Sequence, residues 1–321
     1  MTKVSFAVIG DCHLNISSPA SRVDDWADTC LSKLASIRTE LVRRNINTAI
    51  QLGDFWHSNN QPPWLINRVC AELSKWREAG ISLYAIVGNH ELAHERIENL
   101  DRNPLQILFT TGLVKHLRHL HLDFVDVFGY DYPQAINSAP QCSRYSVAVA
   151  HRLYESSLTD FSLTSKNLTH LGYDLYILGH DHQRYDLVKV GKSYLLRPGS
   201  LMRTSAHAYH LSRKPSFEVA TVEESANSYH LSVDTVVLPH APSNSVFTNQ
   251  SFAVEPEQAD MAEISARIDQ LIASMDENKS DQYIYSILDQ LGLNPATKDL
   301  IESYLLNAQY YRTELTNELV S

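Results

Sequence analysis

Five short segments of the chain carry the residue types that hold metal ions: Asp11-Cys12-His13, Gly53-Asp54, Gly88-Asn89-His90-Glu91, His151 and Gly179-His180-Asp181-His182. Asp11 and His13 are separated by one residue, as are His180 and His182, so in extended chain each pair points to one side. Asp181, between the latter two, faces away and is left out of the set. A glycine before Asp54, Asn89 and His180 lets the backbone turn tightly and approach an ion closely. The seven candidate ligands are Asp11, His13, Asp54, Asn89, His151, His180 and His182. Their mixture of carboxylate, amide oxygen and imidazole suits manganese, iron or zinc better than calcium. Only the two aspartates are charged, so two divalent ions would leave the filled site with a net charge of about +2, which attracts a phosphate ester. Asp54 would bridge the ions at the usual two-metal separation of about 3.5–4 Å, an arrangement that acidifies water for in-line attack on phosphorus. His90 follows a ligand and points away from the ligand direction, where it can donate to a phosphoryl oxygen or protonate a leaving alkoxide. Glu91 either orients His90 or lies on the surface.

Such a set works only if the elements before it bring it together. Each motif follows an apolar run: VSFAVIG, TAIQLG, LYAIVG, SVAVA and LYILG. In an open α/β sheet, ligands bind beyond the carboxyl ends of the strands, so five such ends pointing one way converge on one site. Between the first runs the periodicity is helical. Trp26, Cys30, Leu34, Ile37 and Leu41 mark one helix from about Asp24, and Leu65, Val69, Leu73 and Trp76 mark another, opened by Pro62-Pro63 and closed at Gly80. Later segments at 124–128, 146–150, 175–178, 194–197, 217–222 and 231–238 read as strands. The expected fold is α/β, an α+β sandwich of sheets flanked by helices, over residues 1–238. From His240 to Gln250 the composition resembles a polar linker. Three helical segments, 258–275, 281–291 and 295–308, then form a small C-terminal region over 239–321.

The 321 residues are 44% apolar, with a formal charge of −10, and suit one large domain with a smaller one. The acidic total argues against a generally basic nucleic-acid binder, although a local cationic site can sit in an acidic body. Cys12, Cys30, Cys70 and Cys142 form no C-x-x-C pair, which excludes a zinc knuckle and fits a reducing compartment. No leader-like segment opens the chain and no apolar run approaches the roughly 20 residues that span a bilayer, so a cytoplasmic location is expected.

D-x-H, GD, GNHE, a lone histidine and GHxH together resemble the calcineurin-like metallophosphoesterases, over roughly residues 1–225. Within that family the chain is most similar to the SbcD-type DNA nucleases. Gly53-Asp54-Phe55-Trp56-His57 is similar to that branch's GDLFH, in which a second histidine assists catalysis. The stretch Asn60 to Pro63 and the segment Arg197-Pro198-Gly199-Ser200-Leu201 have counterparts there too. The resemblance implies a four-layer core with a capping region. It implies two divalent ions, manganese first, one on Asp11, His13, Asp54 and His182 and the other on Asp54, Asn89, His151 and His180. It implies His90 and His57 as catalytic groups, DNA as substrate, an SbcC-type coiled-coil ATPase as partner, and a homodimer. A compact, phage-encoded form acting in host cytoplasm would fit the length.

Other residues admit two readings. Arg203, Arg213 and Lys214, with His207 and His210, stand in a polar stretch that can touch a DNA backbone, or they form an ordinary charged loop. His116, His119 and His121 read as solvated residues on a short helix or strand. Met261, Ile264, Ile268, Leu271 and Ile272 form an apolar stripe for a local core or a partner groove. Trp64, Leu65 and Trp76 face either a second copy or the chain's own interior.

Overall fold

A computed structural model of the chain describes residues 2–19, 21–92, 97–140, 144–155, 162–205, 208–226 and 228–247. The strands among them are, in chain order, β1 (Thr2–Ile9), β2 (Thr48–Gln51), β3 (Ser82–Ala85), β4 (Lys115–His116), β5 (His119–Leu122), β6 (Val125–Tyr130), β7 (Tyr145–His151), β8 (Leu175–Gly179), β9 (Tyr185–Val190), β10 (Ser193–Arg197), β11 (Ser216–Ser225) and β12 (Ser228–Val237). They form two six-stranded sheets, ordered β12-β11-β1-β2-β3-β4 and β5-β6-β7-β8-β10-β9. Strands β1 to β4 of the first sheet, and β6, β7, β8 and β10 of the second, are parallel within each sheet.

Side-chain alternation builds the layers. Phe6 and Val8 of β1 join Ile50 of β2 and Val147, Val149, Leu175 and Ile177 of the second sheet in a dry core between the sheets. Ala7, Ile9, Ala49 and Leu83 point the other way, onto α1 (Trp26–Arg44) and α2 (Pro63–Glu78). Ala148, Ala150, Tyr176 and Leu178 cover the outer face of the second sheet beside Leu168 of the short helix Ser165–Leu171. The result is helix, sheet, sheet, helix. Asp25 caps α1, accepting from Asp28 N at 2.8 Å.

Several expectations change. Strand β9 has no counterpart in the sequence reading, and the short helix or strand expected around His116 to His121 is a pair of strands, β4 and β5. His116, His119 and His121 lie on β4 and β5 and are engaged rather than merely solvated: His116 Nε2 is 3.0 Å from Asp131, and His119 and His121 meet one oxygen of Asp126 at 3.1 and 3.0 Å. Leu65 and Trp76 are buried in the chain's own core, whereas Trp64 is exposed, so only the last is free to face a second copy. Residues 239–247 are not a free linker. Lys33 Nζ donates to Pro239 O, Arg203 donates to Ala241 O and Ser243 Oγ, and Val246 and Phe247 are buried. The first unit therefore extends at least to Phe247. The three C-terminal helical segments and the apolar stripe from Met261 to Ile272, like Cys142 and His207, lie outside the described residues. Cys12, Cys30 and Cys70 are free thiols. No described helix is long and apolar enough to cross a membrane.

Candidate metal centre

The two sheets end at the same place. Asp11 and His13 follow β1, Asp54 follows β2, and Asn89 and His90 follow β3, while His151 ends β7 and His180 and His182 follow β8. The register of β7 and β8 sets His151 opposite Gly179, so the second sheet delivers its ligands level with one another.

The turn conformations are more specific than the sequence suggests. Among the three glycines before ligands only Gly53 takes a left-handed φ, of +90°. Gly88 serves close approach instead, since a Cβ there would overlap the Asp54 carboxylate. Three ligands take positive φ themselves: His13 at 45°, Asp54 at 51° and His180 at 81°. For residues with a Cβ this is strained, and such strain concentrates at functional sites. It is sustained by backbone bonds from Cys12 N and His13 N to Asp54 O at 3.0 and 2.9 Å, and by the indole Nε1 of Trp26, which donates to His13 O at 2.8 Å.

Two donor groups contain a carboxylate, and His13, His57 and His90 form a third, all-imidazole group beside them. Asp11, His13 and His182 present atoms within 4.8 Å of one another, and so do Asp54, His151 and His180. Asp54 lies between the groups, with Oδ2 3.2 Å from His151 Nε2 and 3.8 Å from His13 Nε2. Asn89 Oδ1 stands 2.9 Å from His151 Nε2. His151 Nδ1 donates to Leu52 O at 2.8 Å, which leaves Nε2 as the ligating lone pair. That lone pair then faces the oxygens of Asp54 and Asn89, and His13 Nε2 faces His182 Nε2 at 2.7 Å. Acceptors converging on acceptors call for a cation or a proton between them. Two carboxylates with imidazole and amide donors fit a pair of divalent ions of the transition series.

The electrostatics point the same way. Burial pushes the Asp11 carboxyl up to about 7. Burial also opposes ionisation of Asp54, but the attraction of His151 and His90 outweighs it and holds this carboxyl well below the ordinary range. Burial lowers His151, and the Asp54 charge more than reverses that, raising it to about 9. Burial and the neighbouring His182 hold His13 well below the ordinary imidazole value. Cation binding requires Asp11 ionised and His151 neutral, so loading must displace the protons these groups carry. Apparent affinity for divalent ions is therefore expected to rise with pH from about 6 to about 9. Proton release should be about one per centre near pH 8 and larger below pH 7. Calorimetric titration in two buffers of different ionisation heat measures this, and proton uptake or pH-independent binding would contradict the assigned donors.

His90 and His57 flank the donors. His90 Nδ1 donates to the His57 carbonyl at 2.8 Å, and the two rings stack with centroids 5.0 Å apart. His13 lies 4.8 Å from the His90 ring and 5.5 Å from the His57 ring. Glu91, read from the sequence as orienting His90 or as a surface residue, does neither: it is fully buried and accepts backbone N–H bonds from Asp54, Trp56 and Gly88.

The three cations expected near a DNA backbone divide. Arg203 is 3% exposed and spends its guanidinium on the 239–247 segment, so it is structural and its expected DNA contact is withdrawn. Arg213 donates to His182 O and to Ser200, bracing the last ligand loop against the Pro198-Gly199-Ser200 segment. Lys214 is exposed. His210 is buried on the short helix Ala208–Ser212, facing His182 at 6.4 Å.

A search of curated sequences finds no match. Among solved structures, a dimetal phosphatase from Danio rerio is 10% identical, covers 73% of this chain and 98% of its own, and has a TM-score of 0.47. The calcineurin-like phosphoesterase YfkN from Bacillus subtilis is 13% identical, covers 78% and 94%, and has a TM-score of 0.42. Likeness at this level adds nothing to the assignment. The family profile described as calcineurin-like phosphoesterase, by contrast, matches residues 4–184, a span holding every donor named above. The chain belongs to the calcineurin-like phosphoesterases, metal-dependent hydrolases of phosphoesters.

Proposed function

We propose that this phosphoesterase is a manganese-dependent DNA exo/endonuclease of the SbcD type. It would serve as the nuclease subunit of an SbcC-type coiled-coil ATPase in DNA repair and recombination, as a homodimer. The observation that carries the reading is the second imidazole. His57 stands three residues after Asp54, stacked on His90 and beside His13, on a side of the donor cluster left open to solvent. The likeness of Gly53 to His57 and of Arg197 to Leu201 to that branch supports the same reading.

When bound, a pair of divalent ions supplies Lewis-acid polarisation of the phosphoryl group and a nucleophilic water at neutral pH. The chain's residues do the rest. Asp54 joins the two donor groups. His90, fixed through Nδ1 by the His57 carbonyl, presents Nε2 to the leaving oxygen and gives it a proton. His57 shields that ring on one face. Arg213 keeps the His182 loop from shifting during turnover.

The rival reading is a phosphoesterase of small molecules or proteins, such as a nucleotide phosphodiesterase or a Ser/Thr phosphatase. The inward use of Arg203 and Arg213 favours it, because it leaves only Lys214 of the three cations exposed to a polyanion. Linear DNA and a nitrophenyl phosphate ester, each with manganese, separate the two. Degradation of DNA that stops on chelation is the expected result. Turnover of the small ester alone would remove the nuclease assignment and leave the phosphoesterase.

A further inference from the structure

The loops after β2 and β3 carry Asp54 and Asn89, and no sheet ladder joins them at that point. Side chains do, Glu91 foremost. Glu91 Oε2 accepts from Asp54 N at 2.9 Å and Gly88 N at 2.8 Å, and Oε1 accepts from Trp56 N at 2.8 Å. The contact is reciprocal, since Asp54 Oδ1 accepts from His90 N at 3.0 Å. Each loop thus offers a carboxylate to the other's backbone. Glu91 is itself anchored from behind. Its carbonyl accepts from Asn103 Nδ2 at 2.9 Å, and Asn103 Oδ1 accepts from Leu105 N, capping the helix Pro104–Thr110.

This carboxylate is fully buried, belongs to neither donor group and meets three N–H donors. A buried carboxylate filled with N–H bonds is well placed to hold backbone and poorly placed to ligate. What it holds is the left-handed turn at Gly53-Asp54, whose Asp54 and Trp56 N–H groups it satisfies. If Asp54 rotates or its loop lifts, its carboxylate leaves the line between the two donor groups.

We infer that Glu91 is a positioning residue that sets the distance between the Asp54 and Asn89 loops and so lets Asp54 be shared by two ions. The inference rests on the two-ion reading of the centre. Glutamine at this position turns an amide N–H₂ toward backbone N–H donors, and aspartate is too short to reach all three.

The test uses the full chain loaded with manganese. Circular dichroism and thermal melting report folding, ion stoichiometry reports loading, and electron paramagnetic resonance distinguishes an exchange-coupled ion pair from isolated ions. The wild-type protein should bind two ions with a coupled spectrum. Glu91→Gln and Glu91→Asp should keep the fold, lose about 10- to 100-fold in affinity for the second ion, the range seen for residues that orient ligands, and give the isolated-ion spectrum with kcat lowered more than KM changed. Folded variants with wild-type stoichiometry, spectrum and kcat would overturn the inference. Should neither variant fold, Asn103→Ser decides: serine keeps a cap for Leu105 but cannot reach the Glu91 carbonyl. A weaker second ion supports the inference, and unchanged affinity with an unchanged spectrum overturns it. A wild-type protein without a coupled pair would sink the two-ion reading itself, and this inference with it.

Discussion

Replacing Asp54 with alanine is expected to lower metal-dependent phosphoester hydrolysis by at least about a thousandfold and to leave fewer than two tightly held ions per chain. The magnitude follows from the several kcal/mol that bound cations contribute to transition-state charge stabilisation, at about 1.4 kcal/mol per tenfold in rate. Asp54 is singled out by position. Its Oδ2 stands 3.2 Å from His151 of one donor group and 3.8 Å from His13 of the other. Its Oδ1 holds His90 N. Removing the side chain disturbs both groups and the backbone of His90 together, whereas His182→Ala strips only one group. Steady-state hydrolysis with parallel ion counting measures the effect. Residual activity equal to or above that of a His57→Ala protein would contradict the central place given to Asp54.

His90→Ala is expected to behave differently. Both ions should remain, while hydrolysis falls by about 10²- to 10⁴-fold, the usual contribution of a positioned proton donor. Neither of the two carboxylate-bearing donor groups includes the His90 imidazole, whose Nδ1 is tied to the His57 carbonyl. Because that anchor is a main-chain oxygen, His57→Ala leaves it in place, and its loss should be the smaller one. The split between stoichiometry and rate is the check. If His90→Ala loses an ion, it is a ligand and its role as proton donor fails.

Much of this centre was legible in the sequence because two regularities coincide. Every ligand motif ends an apolar run, and parallel strands place their carboxyl ends together whatever lies between. The apolar run from Val4 to Ile9 reads as a strand, and β1 is buried on both faces, Phe6 and Val8 on one and Ala7 and Ile9 on the other. What escaped depended on contacts distant along the chain. Strands β4 and β5 are short and carry His116, His119 and His121, whose carboxylate partners Asp131 and Asp126 only the folded chain supplies. Glu91 stands beside His90 in sequence, yet its partners at Asp54 and Trp56 lie some 35 residues earlier. Arg203 sits among polar residues and reads as a surface cation. It is buried by the segment 239–247, whose serines and prolines pass for a linker until its carbonyls are seen accepting from Arg203 and Lys33.

The donors divide between two sheets that are not completed together. Asp11, His13, Asp54 and Asn89 hang from the first sheet, whose β1 is paired along its length by β11, and His151, His180 and His182 hang from the second. A chain emerging from the ribosome therefore has all its ligands by residue 182, but lacks the strand that steadies β1 until residue 225 has been made. The strand that flanks β1 on its other side is thus made after the last ligand, so the frame of the centre closes only once β11 has joined the sheet.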